Sequence, residues 1–259
     1  MDTIITSGCS FTSEWYGYDT TGPYKDAPYK SWPYWLREKG YNVINVGFSG
    51  SGNKQILRRA MYEALKHIEE KPKLIVQWTA NGRKSVMIAH SDYGTIFKGN
   101  EDDIRHMSGF GNGTRDWLRI LGLDKATVEL KKFWERFLPT DYMSTVRLNE
   151  DFDIIECVFL LEQFCKANNL EWYSFIGLGD DWSHILNERA ESYSDIDFLF
   201  KQIDLSKKRF FGVDKTLRRW SKEKFEYKDI YLSYHKDGSS DDEHPSPKVH
   251  KAFTEEILL

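Results

Sequence analysis

Ser10, His244 and a run of carboxylates beside that histidine stand near opposite ends of a 259-residue chain, and they are the residue types that acyl transfer requires. A serine hydroxyl is a poor nucleophile until an imidazole takes its proton. The imidazole in turn needs a carboxylate to fix its tautomer and steady its cationic form. Asp241-Asp242-Glu243-His244 offers both groups within one loop, with any of the three acids as orienting partner. A tetrahedral intermediate also needs donors aimed at its oxyanion. An amide from the glycine-rich segment Gly47-Phe48-Ser49-Gly50-Ser51-Gly52 and the side chain of Asn81 are suited to that role. Each residue also has a plain structural use: Ser10 as a turn hydroxyl, the glycines for positive φ, Asn81 as a cap, His244 as a surface histidine.

The elements that must position these groups follow from the hydrophobic pattern. Ile4-Ile5-Thr6 reads as a first strand delivering Ser10 to a sheet edge, and its closeness to Met1 leaves no room for a signal peptide. In open parallel sheets the active site lies just beyond the carboxyl ends of the strands. An aromatic, proline-broken stretch at about 13–40 carries a short helix near 31–39, with Ser31 as its cap. A second strand, 41–46, runs into the glycine-rich loop. A helix over about 54–69 follows, with Ile56, Leu57, Ala60, Met61, Ala64, Leu65 and Ile68 on one stripe. Residues 73–79 have the continuous apolar character of a central parallel strand, and Asn81 lies in the loop after it. The region 91–149 shows no strand pattern and reads as an insertion with a helix near 124–138. A helix over 152–168, a fourth strand over 170–176, a second insertion at about 182–227 with a helix near 215–224, a strand over 230–234 and a last helix begun by Pro247 complete the chain. Strands alternating with helices, without internal repeat, predict one α/β domain with a right-handed, doubly wound, mainly parallel sheet, whose insertions roof the carboxyl edge.

Composition narrows the function classes. A formal net charge of -4 and a pI near 6.0 provide no basic field for a phosphate backbone, which argues against a nucleic-acid partner. The mean hydropathy is -0.59, and no run approaches the roughly 20 apolar residues of a membrane span. Cys9, Cys157 and Cys165 are too few and too scattered for a disulfide framework or a CxxC zinc site, so reduced thiols and a cytoplasmic setting are expected. Asp180-Asp181 and Asp241-Asp242 read as loop carboxylates, and no metal or cofactor is expected. The glycine loop matches neither phosphate-binding fingerprint, Gly-x-x-x-x-Gly-Lys-Ser/Thr or Gly-x-Gly-x-x-Gly.

Taken in order, four segments resemble the motifs of the SGNH hydrolase superfamily, the GDSL-type esterases and lipases. Gly8-Cys9-Ser10-Phe11-Thr12 is similar to the Gly-Asp-Ser nucleophile motif, with Cys9 where Asp is usual. Asn45-Val46-Gly47-Phe48-Ser49-Gly50 is similar to the second motif. Thr79-Ala80-Asn81-Gly82 is similar to Gly-x-Asn-Asp, without its first Gly and final Asp. Asp241-Asp242-Glu243-His244-Pro245-Ser246 is similar to the late Asp-x-x-His, with His250 as the further histidine that many members carry. The resemblance implies a single three-layer α/β/α domain of flavodoxin-like type. It also implies a triad of Ser10, His244 and Asp241, with Asp242 the main rival for the last role, and an oxyanion hole from Ser10, Gly50 and Asn81. It further implies a cofactor-free serine esterase acting on a small-molecule or carbohydrate ester, such as an O-acetylated sugar. The Cys9 variant with its His-Pro-Ser also resembles bacteriophage-encoded members, a resemblance that would imply a virion-associated location. The alternative is a binding or assembly protein that kept this fold and lost turnover, as the departures at Cys9 and Gly82 would allow. The oligomeric state is not encoded in these features.

Overall fold

The computed structural model describes residues 2–14, 29–48, 51–79, 84–86, 107–109, 142–178, 194–206, 208–212, 215–233 and 242–259. Its centre is a five-stranded sheet of β1 (Thr3–Ser7), β2 (Asn42–Asn45), β3 (Lys73–Trp78), β6 (Trp172–Ile176) and β7 (Phe210–Phe211), in the order β2-β1-β3-β6-β7. Every pairing in this sheet is parallel. β1 and β6 are buried along their whole length and β3 from Leu74 onward, which is why these strands read as apolar runs rather than as alternation. From β1 the chain moves outward to β2, then crosses back over β1 to β3. The direction of winding therefore reverses between β1 and β3, and in open parallel sheets ligands bind beyond the carboxyl ends at such a reversal.

The described helices fall into two packing groups, an arrangement compatible with a three-layer α/β/α fold. α2 (Asn53–Lys66) packs on β1 and β3 and against α3 (Tyr142–Asn168), which meets α4 (Ser194–Lys201). α2 buries Ile56, Leu57, Ala60 and Ala64, spaced to share one helical face. In the other group α1 (Trp32–Glu38) packs against α7 (Pro247–Phe253). Rings from both converge on Phe175 of β6: Trp32 at 5.5 Å and Phe253 at 4.8 Å between centroids. α5 (Leu217–Lys224) adds Trp220, 5.4 Å from Phe253. Among the described residues no helix is long and apolar enough to cross a membrane.

Several expectations from the sequence need correction. β7, the fifth strand of the main sheet, lies within the stretch read as the second insertion. The run expected as a strand over 230–234 does form one, β8 (Tyr231–Ser233), directly after the short α6 (Tyr227–Ile230), but β8 stands outside the main sheet. β8 pairs antiparallel with β9 (Asp242–Pro245), so residues 242–245 of the expected loop ahead of the last helix are strand. The region 91–149 does contain a strand, β5 (Met107–Gly109), which pairs with β4 (Lys84–Val86) as a separate antiparallel ribbon. α3 begins ten residues earlier than its apolar pattern implied, because Ser144, Thr145 and Asn149 mask helical character at its start. Leu65 is 53% exposed rather than part of the buried stripe of α2. The helix expected near 124–138 lies outside the described residues. Cys157 and Cys165 are buried, as expected, and burial pushes the Cys165 thiol up to about 12.

Candidate active site

Ser10 stands in the turn that follows β1, at the winding reversal, and is 2% exposed. The turn is closed by Cys9, whose carbonyl accepts from the amides of Thr12 at 2.9 Å and Ser13 at 3.0 Å. Thr12 anchors it to three neighbouring elements. Its hydroxyl donates to Gln77 Oε1 of β3 at 2.6 Å and accepts from Trp32 Nε1 of α1 at 3.1 Å. Its carbonyl accepts from Asn45 Nδ2 of β2 at 2.9 Å and from Ser31 Oγ at 3.0 Å. Ser31 does occupy the N-cap position of α1, but its hydroxyl serves the nucleophile turn and makes no capping bond. Close approach explains Gly8: a Cβ there would fall 2.1 Å from Thr12 Oγ1 and 3.0 Å from Gln77 Cβ.

Cys9 is fully buried, and Gln77 Nε2 donates to its sulfur at 3.2 Å. Gln77 thus joins β3 to both Cys9 and Thr12, the residues on either side of Ser10 and Phe11. It is the polar residue in Leu74-Ile75-Val76-Gln77-Trp78, and a buried amide in an apolar strand must find partners. That was the available signal for a site residue which motif reasoning passed over.

The flanks of the two expected oxyanion loops are tied together as well. Asn53, first residue of α2, accepts from the Thr79 amide at 2.9 Å and donates to the Thr79 carbonyl at 3.4 Å. The end of the glycine loop and the end of β3 are therefore fixed to each other. Phe48 donates its amide to the Gly8 carbonyl at 3.0 Å, which lays the start of that loop along the nucleophile turn. Gly50, Asn81 and Asp241 lie outside the described residues, and so does the intended contact of each.

His244, in β9, meets the Ser10 turn through Phe11, whose ring lies edge-on at 5.3 Å. Tyr29 packs on His244 at 6.0 Å with planes at 85°, and on His250 at 5.4 Å with planes at 80°. The structure thus brings His244 beside the residue next to Ser10. It forms no hydrogen bond between Ser10 and His244 themselves, the only two of the five sequence-predicted site residues that are among the described ones. His250, in α7, is fully buried. Desolvation, followed by the nearby His244, pushes its pKa down to about 3, so it is neutral at pH 7. Among the described residues no group of three or more His, Cys, Asp or Glu is placed to hold a metal ion.

No protein-family model matches the chain, and no curated protein matches it. The functional reading accordingly stands on the residues and their geometry.

Proposed function

We propose that this chain is a serine ester hydrolase. The observation that carries the reading is the 5.3 Å contact of Phe11 with the His244 ring, which joins the turn after β1 to β9 and sets a nucleophile candidate near a base candidate from the far end of the sequence. In this reading Ser10 Oγ attacks the acyl carbonyl and His244 takes its proton. The amides of Ser10 and Gly50 and the Asn81 side chain receive the oxyanion. His244, held by Asp241, then protonates the leaving alcohol, and water releases the acyl group by the same route in reverse. The position of the Ser10 turn, at the carboxyl end of β1 where the winding reverses, supports the assignment on independent topological grounds. A small ester, including an O-acylated carbohydrate, is the substrate class.

The second reading, a catalytically weak binding or assembly protein on the same scaffold, draws on the missing Ser10–His244 hydrogen bond. Catalytic hydrogen bonds are often long without substrate and tighten in the bound complex, so the first reading is preferred. Turnover of an aryl acetate decides between them. The hydrolase reading expects measurable hydrolysis that falls by roughly a thousandfold or more in Ser10→Ala. Equal rates in the two proteins reject it.

A further inference from the structure

The geometry points to Tyr29 and His250 as a positioning pair that holds His244 at its working orientation. This inference rests on the hydrolase reading for its purpose, but its geometry stands independently. Tyr29 Oη donates to the carbonyl of Pro245, the residue after His244, at 3.0 Å. The same oxygen lies 2.5 Å from His250 Nε2. A phenol has one proton, and Pro245 receives it, so the second contact must run the other way: His250 donates from Nε2 and Tyr29 Oη accepts. His250 is therefore the neutral tautomer with its proton on Nε2. Its Nδ1 is buried with no hydrogen-bond partner among the described residues, which suits a bare lone pair better than an N–H.

The chain of contacts has a direction. α7 is fixed at its start by Ser246, whose hydroxyl caps the Val249 amide at 3.3 Å, and it presents His250 inward. His250 orients the Tyr29 hydroxyl, the hydroxyl holds the Pro245 carbonyl, and the Tyr29 ring stands edge-on to the His244 imidazole. Phe11 meets the same imidazole from the Ser10 turn. His244 thus has two aromatic contacts, from Phe11 and Tyr29, and a fixed backbone immediately after it.

A charged His250 would repel the imidazolium that His244 becomes when it takes the serine proton. Among the described residues the titratable groups facing His250 are Tyr29 and His244. The lysines on its own helix are engaged elsewhere, Lys248 with Asp229 at 2.8 Å and Lys251 over the Trp35 ring at 5.4 Å. The pair therefore positions the base without adding charge beside it.

The test uses Tyr29→Phe, which keeps the ring and removes the hydroxyl, and His250→Gln, a second route to the same loss. Circular dichroism confirms folding, aryl acetate kinetics gives kcat and KM, and imidazole nitrogen–proton NMR spectra report His244 and His250 directly. The expected result is a fall in kcat of roughly tenfold or more in each variant, with KM within about twofold. His250 in the wild type should show the neutral Nε2–H pattern at pH 5, and the His244 resonances should shift or broaden in Tyr29→Phe. An unchanged kcat in both variants, while Ser10→Ala abolishes turnover, overturns the pairing and leaves the hydrolase reading intact. If the wild type has no turnover, the hydrolase reading fails and the spectra still decide: His244 resonances identical in Tyr29→Phe and wild type overturn the pairing, and altered ones support it.

Discussion

Gln77 and His250 are two buried polar side chains around the candidate site, and each carries a measurable consequence. Gln77 is fully buried and bonded to Thr12 and Cys9. Gln77→Leu keeps the volume but leaves the Thr12 hydroxyl without its acceptor, which costs about 1–3 kcal/mol. The midpoint of urea unfolding should fall accordingly, and turnover should drop with the loosened Ser10 turn; an unchanged midpoint contradicts the bracing role. His250 links stability to pH. The unfolded chain takes up this proton near pH 6.5, whereas the folded chain resists it until about pH 3. The stabilisation is thus complete above pH 6.5 and is lost as pH falls towards 3, at up to about 1.4 kcal/mol per pH unit. Denaturant titrations between pH 7 and 4 should show that slope in the wild type and a flatter one in His250→Gln.

At the scale of elements, legibility in the sequence followed length and burial. β1, β3, α2 and β6 were readable because long apolar runs or a clear helical stripe announce them. β7 was not, since Phe210-Phe211 is too short to show a period and follows a basic run. β8 was assigned to the main sheet because an apolar five-residue run looks the same in a central strand and in a small antiparallel pair. Ser10 and His244 were found as motif residues, whereas Tyr29, Gln77 and Asn53 act through contacts with residues far away in sequence, which no local pattern encodes. The identity of the orienting carboxylate belongs to this scale too. β9 begins at Asp242, so Asp241 is the residue immediately ahead of the strand that carries His244. If Asp241 orients the imidazole, Asp241→Asn lowers kcat by up to about four orders of magnitude and Asp242→Asn far less. The opposite ranking in steady-state kinetics would transfer the role to Asp242.

Across the whole molecule, the parallel sheet brings together the turn after β1 and the flanks of the loops after β2 and β3, and the Phe11–His244 contact adds the distant β9. The oxyanion donors proposed there are all protein groups. Exhaustive chelation should therefore leave ester turnover unchanged, and activity lost to chelator and restored by one divalent metal would contradict that mechanism. The most direct test of the central claim is covalent labelling with a fluorophosphonate probe, with the adduct located by peptide mass spectrometry. The account predicts one adduct on Ser10, absent in Ser10→Ala and formed at least about a hundredfold more slowly in His244→Ala, because the hydroxyl then lacks its base. A folded wild-type protein that carries no adduct, or carries it on a different residue, would contradict the account.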